Sequence, residues 1–329
     1  MIGQSLWPFS AVLDSGRFVN YTGYMLHNEG FLISTQEVGT IMELICGYMR
    51  DDQKRHALNA LAQKTFGIEF EDWVRDGYFE GDYIPYSLIE NGELLSNISA
   101  NRMQFVQNGA ERTYIQLGTV MTEAAHRQRG LARRLMERVL SDWEGRCDGI
   151  YLFANLNALD FYRKMGFQEG VCEYCYELRP DSGISGREIF RPIDESLRAQ
   201  YMDCVRNGAV NAALEQVNRF GLQMFYTADL SSVRYAEDID CFAVIAEDDE
   251  ALTVQSVVSR SVVPLRAVLE RIDAAGRPIR LGFAPRREDA TLFDAQRYDG
   301  ADDYRLFYRG ALIEEIERER LRFPVLSHA

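Results

Sequence analysis

The sequence lacks any apolar run long enough to cross a membrane. A transmembrane helix needs about 20 consecutive apolar residues, and the apolar stretches here are broken much earlier by charged or polar side chains. The opening segment MIGQSLWPFSAVLDSGRF has no basic start and only a short apolar run interrupted by Pro8, which does not fit a signal peptide. We therefore expect no membrane association and a cytoplasmic location.

Positive charge is also scarce. The 329 residues include 36 Lys and Arg against 50 Asp and Glu, a formal net charge of −14. Because nucleic-acid binding requires a basic surface, this balance argues against a nucleic-acid partner. A neutral or cationic small molecule is easier to attract electrostatically. Oligomerisation is compatible with the composition, which does not determine it.

Cysteine is sparse and scattered, with six residues in the whole chain. The closest pair, Cys172 and Cys175 in VCEYCYE, lies in an alternating segment that predicts a strand, where residues three apart point to opposite faces. We interpret both as ordinary thiols in a reducing compartment. A chain of this length can bury sizeable cores, so neither disulfides nor a metal site is expected.

The pattern of residues 30–180 predicts a mixed α/β domain. Two Asn-Gly turns, at residues 91–92 and 108–109, separate apolar-alternating runs and predict three antiparallel strands between residues 84 and 122. Apolar spacing and strand-like runs then predict a set of flanking elements. These are a strand at 31–38, helices at 41–52, 56–67 and 70–79, a helix from near Gly130 to near Gly145, a strand at 150–155, a short helix at 157–167 and a last strand at 171–178.

A second α/β domain is predicted over residues 187–329, after a Gly/Ser/Pro-rich linker, RPDSGISGRE. Its expected elements are helices at 195–208 and 211–221, strands at 241–247 and 251–259, a helix at 264–276 and a strand at 278–285. This hairpin–helix–strand order repeats that of residues 98–154, so we interpret it as a degenerate copy. Residues 1–29 are left as an N-terminal extension.

Five arginines gather around Gly130 in the stretch EAAHRQRGLARRLMERV. A strand is predicted to end at Thr122 and a helix to begin near Gly130. A helix start offers unpaired N–H groups and a positive dipole end, and a glycine there lets an anion approach the backbone. The pattern indicates a phosphate-binding turn. Arg133, Arg134 and Arg138 fit a solvated helix face equally well.

Two nucleotide-binding motifs are absent, since the chain contains neither GxxxxGK[ST] nor a GxGxxG after a strand. Instead, LGTVMTEAAHRQRGLARRL resembles the acetyl-CoA signature of the GNAT N-acetyltransferases, with Arg127, Gly130 and Ala132 filling Arg/Gln-x-x-Gly-x-Gly/Ala. A second block, NLNALDFYRKMGF, matches the family through Asn155, Ala158, Phe161, Tyr162, Gly166 and Phe167. The departures are Ala124, where proline is common, and Gln128, where glycine is common.

The resemblance implies a GNAT fold over residues 30–180, followed by the degenerate GNAT-like domain. It also implies acetyl-CoA as cofactor and a set of cofactor contacts. These are main-chain pairing of the pantetheine arm with Val120 and Thr122, backbone groups of Arg127, Gln128, Arg129, Gly130, Leu131 and Ala132 around the pyrophosphate, and Asn155 and Ala158 near the next strand.

The family match also implies direct attack of an amine on the thioester, with Tyr162 as the general acid. A tyrosine hydroxyl suits that task because its pKa is near that of a thiol. A plain core aromatic is the alternative for Tyr162. The general base stays open, because the family often places a Glu on the fourth strand and RTYIQLGTVMT has only Gln116. Glu111, Glu123, His126 and a water chain are the candidates nearby.

The tail LRFPVLSHA suggests another base. In the tandem-GNAT branch that acetylates aminoglycosides, the C-terminal carboxylate serves as base, and this chain resembles such a tandem. We therefore hypothesise that the Ala329 carboxylate enters the first domain's active site. For the acceptor, EDWVRDGYFEGDYIPY combines carboxylates and aromatics that can hold a cationic amine. The candidate contacts are Phe79, Glu80, Asp82 and Tyr83.

The sequence thus predicts an acetyl-CoA-dependent N-acetyltransferase that acts on a primary amine of a small cationic acceptor. The alternatives are a catalytically silent acyl-CoA-binding sensor, which the absent fourth-strand Glu favours, and a purely structural protein.

Overall fold

The computed structural model describes residues 31–33 and 42–329, so the predicted extension at residues 1–29 lies outside the described residues. Sixteen strands are described: β1 (Phe31–Ile33), β2 (Met42–Cys46), β3 (Tyr83–Glu90), β4 (Glu93–Gln107), β5 (Ala110–Thr122), β6 (Gly149–Asn155), β7 (Gln168–Glu169), β8 (Glu173–Leu178), β9 (Arg191–Pro192), β10 (Leu214–Gln216), β11 (Val233–Ala236), β12 (Cys241–Glu247), β13 (Leu252–Ser259), β14 (Ile279–Leu281), β15 (Phe293–Tyr298) and β16 (Tyr304–Arg309).

Eight α-helices accompany these strands in the described part: α1 (Asp52–Phe66), α2 (Glu71–Arg75), α3 (Leu131–Trp143), α4 (Leu159–Lys164), α5 (Glu195–Asn207), α6 (Phe220–Thr227), α7 (Leu265–Leu269) and α8 (Glu315–Arg318). Over residues 31–33 and 42–329, no helix combines the length and the apolar character that a membrane span requires. Strands and helices form two mixed sheets with helices packed on them, which confirms the predicted mixed α/β fold.

The first sheet has the order β1-β2-β3-β4-β5-β6-β16-β7, and β10 pairs with the far end of β4. Its centre is the predicted meander of β3, β4 and β5, turned at Asn91-Gly92 and Asn108-Gly109 with positive φ at all four residues. Such backbone angles are those that Asn-Gly hairpin turns adopt. The three-strand prediction is confirmed.

The second sheet has the order β15-β8-β14-β13-β12-β11-β9. The two sheets exchange strands. β8, predicted as the last strand of the first domain, pairs with β14 and β15 of the second sheet, while β16 lies between β6 and β7 of the first. Each predicted domain, 30–180 and 187–329, therefore contributes a strand to the other's sheet.

Two predicted helices are wrong. Within residues 41–52, the described segment Met42–Cys46 is a strand that pairs with β1 and β3, because sheet pairing outweighs the local apolar spacing. The segment 211–221 contains the strand β10, which pairs with the end of β4 that β3 does not reach. The helix α6 begins only at Phe220, near the end of that segment. Elsewhere, helices lie within the predicted segments 70–79, 157–167 and 195–208 and between Gly130 and Gly145, while α1 overlaps the predicted segment 56–67 but begins earlier, at Asp52.

The two faces of the central meander differ in chemistry. On one face, α3 buries Leu135, Met136 and Val139 against apolar strand residues such as Leu88 and Ile98. On the other face, the strands carry a buried polar stripe made of Tyr83, Ser87, Asn97, Ser99, Asn101, Gln116 and Thr119. Burial of polar groups is costly unless they are hydrogen-bonded, and these side chains bond to one another and to the main chain of β5.

Candidate active site

The turn between β5 and α3 has the geometry expected of an anion-binding site. After a 3-10 turn at Ala124–His126, Gly130 is the N-cap of α3 with φ +73° and ψ +16°. The first N–H groups of a helix have no intrahelical partner and face outward at the positive end of its dipole. The helix start predicted near Gly130 is therefore observed, on the loop where the arginines cluster.

Gln128 in this turn has φ +65°, a left-handed angle that glycine adopts without strain. For a residue with a side chain, that conformation costs on the order of 1 kcal/mol. The structure thus gives a physical reason for the glycine that GNAT sequences commonly have here. The turn keeps its shape with Gln128 because its ends are fixed, by α3 on one side and by the Glu123 carboxylate on the other.

The charged groups of the turn are engaged with one another. Lys64 of α1 contacts Glu123 at 2.6 Å, and the same carboxylate accepts the N–H of Ala124 at 2.9 Å. Arg129 bonds to His126, and Arg127 donates to the carbonyl of Thr122 at 3.3 Å. The turn is held by ion pairs and main-chain contacts that leave the helix N-terminus facing outward.

Further along α3, Arg138 pairs with Asp142 one turn later at 2.9 Å, on a part of the helix that remains substantially exposed. This geometry fits the interpretation of Arg138 as part of a solvated helix face, whereas Arg134 is partly buried against Met42. Leu131 and Ala132, in the first turn, bury their side chains against the sheet. Their main-chain groups are therefore what the helix start presents.

The strand that leads into this turn separates from its neighbour. β5 and β6 pair in parallel only from Tyr114 to Gln116, opposite Gly149 to Tyr151. Between Gly118 and Met121, β5 carries one residue more than β4, with Thr119 at φ +41°. A bulge of this kind bends the strand away from its neighbour. Val120 lies within the bulge and Thr122 lies just beyond it, and these are the two residues for which main-chain pairing with a ligand was predicted.

The second motif block follows β6. The Asn155 side chain accepts the N–H of Asn157 at 2.9 Å and so caps the 3-10 turn at Leu156–Ala158, while Ala158 is buried. Tyr162 on α4 packs against Phe161, Phe167 and Phe307 and is 4% exposed. Burial raises the pKa of its hydroxyl, which therefore keeps its proton at neutral pH. A general acid needs that protonation state.

The tail of the chain crosses the polar face of the first sheet. Phe323 stacks on Tyr151 with ring centroids 4.1 Å apart, and the buried Glu173 carboxylate accepts the N–H of Phe323 at 2.8 Å. His328 stacks on Phe153 at 3.8 Å. The tail is thus bound to β6 by aromatic contacts and to β8 by a hydrogen bond.

Ala329 lies against β5, just before its bulge. Its N–H donates to the side-chain oxygen of Gln116 at 3.0 Å, and Tyr226 donates to the carbonyl of His328 at 2.6 Å. A Cβ built on Gly118 would lie 2.2 Å from the carbonyl oxygen of Ala329. Only glycine at 118 leaves room for this contact. Gln116, at the position where the family often has Glu, binds the tail.

A pocket opens beside residue 329, between the first sheet and the loop that follows β10. Three of the four residues predicted to contact the acceptor line it, namely Glu80, Asp82 and Tyr83. Phe79 does not line this pocket; its ring packs edge-on against Trp73, which does. The remaining lining residues are Asn101, Arg102, Met103, Gln216, Asn218, Gly221, Leu222 and Ala329.

The acidic groups of the pocket have arginine neighbours. Asp82 pairs with Arg102 at 2.8 Å, and Glu80 pairs with Arg206 of α5 at 2.9 Å. These pairs are partly exposed, so each contributes little to stability.

The three side chains considered from the sequence as the general base are poorly suited to that role. The hydrogen bond from Lys64 lowers the pKa of Glu123, which makes it a weak base. Glu111 lies opposite Val106, at the end of β5 remote from the bulge. His126 is hydrogen-bonded to Arg129 within the turn between β5 and α3.

Several residues of the site were not predicted. The polar alternation of Asn97, Ser99 and Asn101 on β4 is visible in the sequence and could have indicated a strand whose covered face is polar. The pocket includes Gln216 and Asn218 only because β10 joins the first sheet. No local sequence pattern predicts that pairing.

Comparison with known proteins agrees with this geometry. A family model described as an acetyltransferase (GNAT) domain matches residues 49–170. This segment contains the meander, the turn between β5 and α3, and Tyr162. No curated protein matches the chain.

Solved structures share the architecture over most of the chain. Eis1 from Mycobacterium abscessus is 14% identical, with 82% of this chain and 73% of that chain covered and a TM-score of 0.52. A GCN5-related N-acetyltransferase from Kribbella flavida is 19% identical, with 83% and 72% covered and a TM-score of 0.51. One from Anabaena variabilis is 13% identical, with 81% and 72% covered and a TM-score of 0.50. At these identities the likeness establishes the fold.

The fold and the matched domain define an acyltransferase. More specifically, residues 49–170 are similar to the acetyltransferase (GNAT) domain.

Proposed function

We propose that this protein transfers the acetyl group of acetyl-CoA to a primary amine of a small cationic acceptor. One observation carries the proposal: a single strand, β5, joins the two halves of the required site. Gly118 on β5 contacts Ala329 beside the pocket, and the same strand ends at Thr122, where the turn to Gly130 begins. An acyl donor held at the turn and an amine held in the pocket would meet at the bulge.

The donor, when bound, supplies the activated thioester. Backbone N–H groups from Arg127 through Ala132, with Gln128, Arg129, Gly130 and Leu131 between them, would hold its pyrophosphate at the α3 N-terminus. The main chain of Val120 and Thr122 would pair with its pantetheine arm, and Asn155 and Ala158 would line the β6 side. The left-handed Gly130 fits a close backbone approach of this kind.

Tyr162 would serve as the general acid. Its buried hydroxyl retains its proton at neutral pH, and its helix directly follows the strand that separates from β5.

The Ala329 carboxylate would serve as the general base, because it lies at the bulge and the neighbouring strand position holds Gln116, which cannot accept a proton at neutral pH. This proposal requires Ala329 to be the last residue of the mature protein, which intact-mass spectrometry measures. Removal of Ala329 alone should abolish most amine acetylation while acetyl-CoA still binds. Unchanged turnover after this deletion would exclude the carboxylate as base.

A cationic acceptor suits the pocket, where Glu80, Asp82 and the carboxylate at residue 329 outnumber the arginines Arg102 and Arg206. Tyr83 and Trp73, with Phe79 behind it, supply the aromatic surface that cations favour.

The test is release of free CoA thiol from acetyl-CoA in the presence of spermidine, Nα-acetyl-lysine amide or kanamycin, with calorimetric titration of acetyl-CoA alongside. The expected result is one acetyl-CoA bound per chain and turnover with at least one amine. Tight binding without turnover on any amine would favour the acyl-CoA sensor, and absence of binding would exclude both.

We further propose that the protein works in the cytoplasm. All six cysteines are free thiols in the structure, as expected in a reducing compartment. Cell fractionation with an antibody to the protein tests the location.

A further inference from the structure

A chain of hydrogen bonds lies inside the polar face of the first sheet and ends at the acceptor pocket. The hydroxyl of Tyr83 is 2.8 Å from that of Thr119, which is 2.6 Å from that of Ser99. The side-chain amide of Asn97 donates to Ser99 at 3.0 Å and to Thr119 at 3.3 Å. All four residues are less than a tenth exposed.

The donors and acceptors along this chain have a fixed order. A threonine hydroxyl has one proton, and that of Thr119 is donated to Ser99. The Asn97 amide nitrogen can only donate, so it occupies one acceptor position on each of these two hydroxyls. Thr119 must therefore accept the proton of Tyr83. The Tyr83 oxygen, having used its proton, keeps the capacity to accept a hydrogen bond.

The position of this oxygen is functional. Tyr83 lines the pocket that Ala329 also lines. Thr119 follows Gly118, which contacts Ala329, and is a β-branched residue at φ +41° in the bulge. A β-branched residue is rarely found in that region of φ, and strain of this kind concentrates at functional sites.

We propose that the Tyr83 hydroxyl accepts a hydrogen bond from the attacking amine of the acceptor, and that Thr119 and Asn97 are positioning residues that keep Tyr83 in the accepting orientation. The inference rests on the proposed amine acetylation, and it identifies the Tyr83 hydroxyl as the group that holds the attacking amine.

The same chain does not carry the proton away. Beyond Ser99 the connection to Ser87 and Tyr48 runs only through Asn97, whose amide would have to change tautomer to pass a proton on. Burial raises the pKa of Tyr83 to about 12, so it remains neutral near pH 7 and cannot serve as the base. Its role is to orient the amine.

Tyr48 provides a matched control. Its hydroxyl is 2.6 Å from Ser87, and Ser87 donates to Asn97, so Tyr48 also donates into the buried chain. Tyr48 is equally buried but does not line the pocket. Tyr48→Phe and Tyr83→Phe therefore remove the same kind of buried hydrogen bond, and only the second change alters the proposed amine contact.

The experiment measures KM and kcat for the best of the three amines, the pH profile of kcat/KM, and the Kd for acetyl-CoA. A hydrogen bond to a charged group accounts for roughly a 10- to 100-fold effect. We expect Tyr83→Phe and Thr119→Val to raise the amine KM by that factor, without shifting the ascending limb of the pH profile. Thr119→Ser, which keeps the hydroxyl, should restore the KM, and Tyr48→Phe should leave it unchanged.

An unchanged amine KM in Tyr83→Phe, with active wild-type enzyme, would overturn the inference and leave the proposed function standing. An equal rise in Tyr48→Phe would do the same, because it would show a general loss of structure. Wild-type protein that binds acetyl-CoA but acetylates none of the three amines would overturn the proposed function and the inference with it.

Discussion

The two halves of the chain each contain a pair of parallel strands that separate after three residue pairs. In the first half, β5 and β6 part after Gln116 and Tyr151; in the second, β13 and β14 part after Val254 and Leu281. A hairpin precedes each pair, and a helix connects the two parallel strands. The architectural repeat predicted from the sequence is therefore present in the structure.

The two halves differ in what occupies the gap between the separated strands and the start of the connecting helix. In the second half, the gap is taken by the protein's own tail, since Gly282 accepts the N–H of Val325 at 2.8 Å. The short helix α7 begins at Leu265, whose N–H donates to the Asp289 carboxylate at 3.4 Å. A carboxylate of the chain itself thus lies where α3 of the first half presents a free helix start.

Under the proposed function, strand geometry alone does not make an anion site. The site also needs a glycine that admits the ligand and a helix start that the protein does not cap itself. The second half has lost both, and it instead supplies the tail and the loop after β10, which complete the pocket of the first.

The largest effect is expected where the tail meets β5. Gly118→Ala would place a Cβ 2.2 Å from the Ala329 oxygen and 2.7 Å from its carbonyl carbon, so the tail end must move. Because a general base contributes about 100-fold or more to the rate, we expect amine turnover to fall by that order. Steady-state kinetics measure it.

The corresponding change in the second half is Gly282→Ala, whose Cβ would lie 2.6 Å from Val325 Cγ2 and 2.9 Å from the backbone of Gln255. It should lower the Tm with a smaller loss of turnover. Equal loss of turnover in both variants would show that the tail shifts as one unit, which would remove the contrast between the halves.

Cofactor affinity should depend on the first-half turn alone. Gly130→Val forces a branched side chain into φ +73° at the phosphate approach. Because the free turn can relieve this strain of about 1–3 kcal/mol by leaving the binding conformation, binding must restore it, which predicts roughly a 5- to 150-fold weaker Kd for acetyl-CoA, measured by calorimetry. Gly276→Val is the matched control, at φ +80° with open space around it. A comparable loss of affinity in the control would contradict the assignment of the turn.

The tail that joins the halves should loosen in acid. Burial, with a contribution from Arg322, lowers the pKa of His328 well below 6.5. The folded state therefore binds fewer protons than the unfolded state, so this stabilisation is complete above about pH 6.5 and is lost as pH falls. One pH unit corresponds to about 1.4 kcal/mol for one proton.

Urea unfolding of wild type and His328→Phe at pH 7.5 and 5.5 isolates this effect. Phenylalanine can preserve the stacking on Phe153. Glu173, whose pKa burial raises, acts in the opposite direction in both proteins and cancels in the difference. The wild type should lose about 1 kcal/mol more than the variant on acidification. Equal losses would refute the assignment to His328.

The smallest effect is expected at strained turns. Gln128→Gly in the first half and Ala275→Gly in the second both relieve a positive φ, at +65° and +51°. Relief of strain, less the added entropy of the unfolded chain, should stabilise each by less than about 1 kcal/mol. Thermal unfolding measures this gain, and only Gln128→Gly should also change the Kd for acetyl-CoA. A change in the Kd for acetyl-CoA in Ala275→Gly would contradict the expectation that cofactor affinity depends on the first-half turn alone.

Local patterns predicted the parts of the site that a short segment encodes. The apolar stripe of α3, the glycine at its start and the two Asn-Gly turns are each set by neighbours within a few residues. Of the residues predicted to contact an acceptor, Glu80, Asp82 and Tyr83 line the pocket, whereas Phe79 lies behind Trp73. Helix predictions failed at β2 and β10, where pairing with a distant strand overrides local spacing.

By itself, the sequence determined the mixed α/β class, the helix start at Gly130 and the short helix that carries Tyr162, because periodicity and backbone freedom are local properties. Only the tertiary structure decided the exchange of β8 and β16, the polar chain from Tyr83 through Thr119, and the place of Ala329 against Gly118. Those features depend on contacts between residues far apart in the chain. Alternating strands can pair in either sheet, and the packing of the whole molecule selects the partner.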